Sequence, residues 1–264
     1  MKRKLFFIAV ALTVGASLLM LSSCEKDKDN SAITMDEWRV VHISTTYSGE
    51  YPFPSAAGYD YDGLARISVK HDTTNLGTDY QEAGDITFTY SDNLIVCNAV
   101  GAEYRYTLAN GRVTNEEEKY TQSGTTYRST TEYDADNHLV KEICSNGDTT
   151  IYTWQGDDLV SLYVHYTSRG IKLRETYTMS EYPYSALPFS DAYTGMRELS
   201  VMGYFGKQSE HLPAKVAGVI TDSDGDVEYT RNYTYNLNDG RVEKVNVEEE
   251  GGFPYTINVK WDKR

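Results

Sequence analysis

Asp222, Asp224 and Asp226, in the stretch TDSDGDVEY, stand at alternate positions. That is the opening spacing of a calcium loop, in which successive side-chain oxygens wrap one cation. The pattern stops there, because Val227 occupies the place that needs glycine and Tyr233 the place of the bidentate glutamate. The spacing therefore predicts a polar hairpin turn. Asp134, Asp136 and His138 in YDADNHLVKE repeat the rhythm and take the same reading. His42, His71, His165 and His211 are scattered singly, with no HExxH and no pair at ligand spacing. No GxSxG elbow, Gly-rich phosphate loop or cysteine beside a catalytic partner occurs. Two carboxylates facing each other across a curved sheet would suit glycoside hydrolysis, but 39 acidic residues single out no pair. No catalytic residue, metal ligand or cofactor is assigned, and binding is expected before catalysis.

Aromatic residues are the remaining chemistry. Tyr104, Tyr106, Tyr152 and Trp154 could stack on sugar rings, although alternating aromatics in strands more often form cross-strand ladders and core. The stretch SGEYPFPSAAGYDYDG, residues 48–63, offers Tyr51, Phe53 and Tyr59 among turn residues. These three are expected to form an exposed contact loop.

The elements that position these residues are hairpins. YDYDGLARI, FTYSDNLIV, YRYTLANGRV, TEYDADNHLVKE, YTWQGDDLVSL and YTYNLNDGRVEKV share one plan. An aromatic residue ends a strand, Asp, Asn and Gly make a turn, and Leu or Val (64, 94, 113, 139, 159) opens the next. The prolines at 52, 54, 183, 188, 213 and 254 are expected outside the strands. The rhythm fails only between residues 182 and 213, where Tyr193, Met196, Leu199 and Met202 recur every three residues and Ser190 could cap a short helix. The predicted fold is all-β: an antiparallel meander of many hairpins rolled into a soluble, barrel-like or strongly curved sheet, with one short helical or irregular insert. Arg128, Glu132, Glu243 and Glu248 to Glu250 argue against a lipid-facing wall, since basic residues near a bilayer midplane cost about 2–4 kcal/mol each.

The amino terminus carries its own signal. Lys2, Arg3 and Lys4 precede an uncharged run from Leu5 to Leu21, the layout of a secretory signal peptide over residues 1–23. Leu21-Ser22-Ser23-Cys24 resembles a bacterial lipobox, which implies lipidation of Cys24. Residues 24–36 then read as an acidic tether and 37–264 as a single β domain. Loss of residues 1–23 removes three basic residues and no acidic one, taking the formal charge from −14 to −17. Such a surface repels nucleic acid. Cys97 and Cys144 fit two isolated thiols better than a disulfide.

The lipobox, the tyrosine-rich hairpins, the LPF interruption and GKQSEHLPAKV at residues 206–216 together resemble uncharacterised Bacteroidales lipoproteins of a domain of unknown function with a porin-like β fold. The hairpins also resemble degenerate YD repeats of Rhs-type shells. The resemblance implies fold and envelope location and carries no catalytic residue. The expected protein is held at the bacterial outer membrane, and at the cell surface if exported, by its lipid anchor. It would be a non-catalytic module for glycan or an envelope partner. A carbohydrate-active hydrolase and a purely structural lipoprotein are the alternatives.

Overall fold

The computed structural model describes residues 38–47, 54–74, 82–184, 197–250 and 252–263. Sixteen strands follow one another around a closed barrel. They are β1 (Trp38–Tyr47), β2 (Ser55–Tyr61), β3 (Ile67–Thr74), β4 (Glu82–Tyr90), β5 (Leu94–Ala99), β6 (Ala102–Ala109), β7 (Arg112–Tyr120) and β8 (Thr126–Tyr133). The second half comprises β9 (Leu139–Cys144), β10 (Thr149–Gln155), β11 (Asp158–Tyr166), β12 (Ile171–Pro183), β13 (His211–Asp222), β14 (Gly225–Asn238), β15 (Arg241–Glu250) and β16 (Tyr255–Lys263). Each pairs antiparallel with its chain neighbours, and β1 closes the ring on β16 from Trp38↔Lys263 to Tyr47↔Tyr255. Closure leaves no sheet edge exposed. Helix α1 (Arg197–Val201) lies in the β12–β13 connection.

The meander gives the barrel two unlike ends. Odd-numbered strands run away from the near end, where β1 starts, β16 stops and the β12–β13 connection sits. The far end carries the β5–β6, β7–β8, β9–β10, β11–β12 and β13–β14 turns. Period-two alternation sends one set of side chains inward: Tyr255, Ile257 and Val259 of β16 are buried, while Asn258 and Lys260 are exposed. The outer wall is polar and ion-paired, as where Arg128 Nε donates to Glu117 Oε2 at 2.9 Å.

An aromatic lock explains the sequence repeat. In five strand pairs the aromatic residue near the end of the even-numbered strand donates to a carbonyl near the start of the strand before it. Tyr61 Oη reaches Val40 O (2.5 Å), Tyr90 Oη Ile67 O (2.7 Å) and Tyr133 Oη Val113 O (2.8 Å). Trp154 Nε1 reaches Leu139 O and Trp261 Nε1 reaches Val242 O, both at 2.8 Å. All five acceptors belong to the buried core. Arg39, Arg66, Arg112 or His138, each just before its acceptor, lies over the face of the same aromatic ring. Register shifts at Asp60/Tyr61, Glu132/Tyr133 and Thr153/Trp154 accompany the locks, as bulges do where they re-aim a side chain.

Several expectations are corrected. Leu64 does not open a strand: it is 72% exposed in a turn that Asp62 caps by accepting from Leu64 N and Arg66 N, and Ile67 takes the core position. Strict alternation along β7 would set Val113 and Glu116 on opposite faces, but the shift between Thr107 and Leu108 moves the inward phase, so both face the lumen. Pro183 and Pro213 lie within β12 and β13. They fall where the register of that pair breaks, so their missing donors interrupt no regular ladder.

The phrase GKQSEHLP docks the insert against the near end. Gly206 has φ +84°, and a Cβ there would collide with Asn137 O and sit 3.0 Å from the Tyr133 ring. Lys207 N donates to Asn137 O at 2.8 Å, and its Nζ pairs with Asp157 at 2.5 Å. Ser209 Oγ donates to Asp158 at 3.0 Å and accepts from Leu159 N, while His211 contacts the second Asp158 oxygen at 3.0 Å. Leu199, Met202 and Phe205 enter the core, with Phe205 edge-on to Tyr106. Lys70 of β3 meets Glu198 of α1 at 3.0 Å, both buried. Tyr193, Met196 and Ser190 lie outside the described residues.

Candidate functional site

Towards the near end the lumen is apolar. Further along it becomes a belt of tyrosines and acids, placed by the same inward alternation that builds the core. On the β12–β15 side two acids of the belt share one guanidinium. Glu175 accepts from Tyr177 Oη at 2.6 Å and from Tyr229 Oη, and lies 3.9 Å from Arg231, which also donates to Glu249 at 3.2 Å. Gly218 makes this packing possible, since a Cβ there would stand 2.5 Å from Tyr229 Cε1. Burial works against the Arg231 charge, but Tyr233, Tyr255 and Glu249 around it more than compensate and hold it firmly protonated.

The β6–β10 side is different. Glu116 and Glu118 of β7 sit opposite Tyr106 and Tyr104 of β6, and opposite Ser129 and Tyr127 of β8. Glu142 of β9 accepts from Tyr152 Oη at 2.5 Å in a buried bond. Burial pushes the Glu142 carboxyl up to about 8, with the Tyr152 hydroxyl opposing and Glu116 adding to the rise. Burial likewise pushes Glu116 up to about 7, with Tyr106 opposing and Glu118 adding. Contact with Glu118 pushes the Tyr120 hydroxyl up to about 12. At the far rim Tyr120 and Tyr127, 40% and 37% exposed, meet edge to face at 6.1 Å. Val100, Val227 and Phe253 add exposed apolar surface at the same end. Beside Val100 lies a cavity of about 500 Å³ lined by Asp72, Thr74, Glu82, Gly84 and Ile86.

The residues singled out from the sequence separate accordingly. Tyr59 is a core residue of β2, 4% exposed, and not part of an exposed loop. Tyr51, Phe53 and Cys24 lie outside the described residues. Tyr106 and Tyr152 are buried, and Tyr104 and Trp154 half-buried, so none forms a sugar-stacking outer face. Asp222, Asp224 and Asp226 make a hairpin turn in which Asp222 accepts from Asp224 N at 2.7 Å. Asp134 caps its turn by accepting from His138 N, and His138 stacks on Trp154 at 4.5 Å. Among the described residues no three potential ligands converge on a metal position. Cys97 and Cys144 carry free thiols. Sequence reasoning missed Glu116, Glu118 and Glu142. Their alternation with tyrosines on neighbouring strands was a signal, but the bulge in β6–β7 concealed which face they take.

These features define a closed, sixteen-stranded antiparallel barrel of porin-like architecture with a side-chain-filled near half. The chain belongs to the family described as a domain of unknown function (DUF4595) with porin-like fold, matched over residues 59–263. Its fold is similar to that of a porin-like protein from Bacteroides uniformis, with a TM-score of 0.62 and 16% identity over 84% of this chain and 96% of that one. A porin-like protein from Bacteroides vulgatus gives 0.58 and 12%, over 84% and 97%. No curated protein matches the sequence.

Proposed function

We propose that this protein is a non-catalytic binding module of the bacterial envelope, tethered to the outer membrane through a lipid on Cys24 and taking glycan or an envelope partner at its far end. The observation that carries this reading is the polarity of the barrel. The strand nearest the tether, β1, starts at the near end, which the GKQSEHLP segment packs. A protein hung from Cys24 therefore turns its far end, with its exposed apolar and aromatic rim and acidic lumen, away from the bilayer. The ion-paired outer wall suits water and not lipid: Arg128 with Glu117, and Lys141 with Glu132, would be costly against acyl chains. Buried carboxyls engaged by tyrosine hydroxyls, such as Glu142 and Glu175, favour binding over a hydrolytic pair set in an open cleft.

Protease treatment of intact cells, with a periplasmic protein as leakage control, tests which side of the membrane the barrel occupies. Cleavage directs the search to environmental glycan, and protection to periplasmic partners. A glycan screen and a cross-linked pull-down that both returned empty would overturn the binding reading.

A further inference from the structure

Arg66, Arg105, Arg128 and Arg241 each lie within 3.6 Å of a carboxylate. The outer wall of β11 and β12 differs. Arg169 of the β11–β12 turn, and Lys172 and Arg174 of β12, are exposed and form no ion pair among the described residues. The acids around them are engaged or distant. Asp148, which reaches the same turn, accepts from Thr167 N at 2.8 Å and from Asn146 Nδ2 at 2.9 Å. Asp226 accepts from Thr221 Oγ1 at 2.7 Å, and Glu228 lies two strands from Arg174, across Val219. The cations stand on a defined platform. Ile151 of β10, Tyr163 of β11 and Arg174 are direct partners in one cross-strand row, and His165 faces Lys172 in the next. Arg174 holds its guanidinium over the Tyr163 ring, 5.5 Å from the centroid, an attraction that steadies the planar fork. Ile151 is exposed in the same row. Alternate residues on one face of a strand stand about 7 Å apart and adjacent strands about 5 Å, so the two β12 cations border an apolar strip broad enough for a sugar ring.

We infer that this face docks an acidic glycan bearing uronate carboxylates, with Arg174 and Lys172 taking the carboxylates and a sugar ring resting against Ile151 and Tyr163. The inference rests on the binding reading above and names the chemistry of its ligand. Charge complementarity carries it: in a chain of formal charge −14, three neighbouring exposed cations are left without an acid. Exposed charges farther apart than about 8 Å are largely screened at physiological salt, so an anion seated on the patch meets its cations and little of the distant acidic surface. The Arg174 fork offers paired N–H donors, which match a carboxylate. Nucleic acid fits this wall less well. Its duplex carries a charge about every 1.7 Å of axis, and so dense an array would also meet Asp226 and Glu228 beside the patch. A uronate chain spaces its carboxylates a sugar ring apart, with neutral hydroxyls between. The patch adjoins the β11–β12 turn, at the end of the barrel turned away from the tether.

The test is an NMR titration of the full-length protein in detergent with an oligogalacturonate, with its methyl ester as the uncharged counterpart, and with a single-stranded oligodeoxynucleotide of equal charge. The oligogalacturonate is expected to bind at least about tenfold more tightly than the ester, a difference of about 1.4 kcal/mol. Shifts should centre on β10–β12. The double variant Lys172→Gln, Arg174→Gln, at two exposed positions, should lose the preference, and Lys260→Gln, an exposed position on β16, should keep it. Equal affinity for acid and ester, no binding of either, a preference that survives the double variant, or DNA binding as tight as that of the oligogalacturonate would each overturn the inference. Acid and ester binding equally, with shifts at the Tyr120–Tyr127 rim, would leave the functional reading standing and remove the uronate patch alone. Failure of both sugars together with an empty glycan screen and pull-down would remove the two together.

Discussion

The indole Nε1 of Trp154 donates to the Leu139 carbonyl at 2.8 Å across β9 and β10, while the His138 ring stacks on the indole at 4.5 Å. Leu139 is in the core, so removing the donor without removing the acceptor leaves a buried carbonyl unsatisfied. Trp154→Phe is expected to destabilise the protein by about 1–3 kcal/mol. Trp261→Phe should act alike, through Val242. Thermal unfolding monitored by circular dichroism reads both. A change of Tm within error in both variants would show that the locks contribute nothing.

Gly206 cannot accept a side chain where it stands. Its φ of +84° and the collision of an added methyl with backbone Asn137 O leave no flexible atom to yield. Gly206→Ala should release the GKQSEHLP segment from the near end and make trypsin cleavage at Lys207 faster than in the parent protein. Limited proteolysis with mass spectrometry checks this.

The Lys70–Glu198 pair joins β3 to α1 inside the protein. Burial opposes the Lys70 charge, but Glu198 and Asp72 raise its pKa above the ordinary lysine value. Glu198→Gln leaves Asp72, at 3.4 Å, as the remaining carboxylate, and should cost about 3–5 kcal/mol. The double variant Lys70→Met, Glu198→Leu should recover most of that loss, which chemical denaturation would measure.

The lumen carboxyls make stability fall with rising pH. Glu142 and Glu116, pushed up to about 8 and about 7, bind protons more tightly folded than unfolded. Their contribution is complete below the ordinary carboxylate pKa and is lost as pH rises through 7 and 8. Tm should therefore decline between pH 6 and pH 9, and Glu142→Gln, which keeps the shape and cannot ionise, should flatten the decline. An equal slope in parent and variant would place the titrating group elsewhere.

Much of the fold was legible along the chain. Aromatic, Asp/Asn/Gly turn and Leu or Val recur because several strand pairs repeat the same lock, as Tyr90 with Ile67 and Tyr133 with Val113 illustrate. The phrase GKQSEHLP stood out because nearly every residue in it makes a specific contact at the near end, through side chains and backbone together. The turn character of Asp222 to Asp226 followed from the missing glycine and glutamate of a cation loop. Leu64 was misplaced because Leu-Ala-Arg-Ile offers two apolar residues three apart, and only the Asp62 cap decides which enters the core.

Local pattern thus settled the strand content, the antiparallel order and the amphipathic period, because turn chemistry and side-chain alternation act over a few residues. Tertiary structure decided the closure of β1 on β16, the end at which the insert packs, and the patch whose cations lack a carboxylate. Those depend on bulges that shift a strand's inward phase by one residue, and on contacts such as Lys70 with Glu198 between segments more than a hundred residues apart. One strand's alternation carries no information about which neighbour's charge it will meet across the lumen.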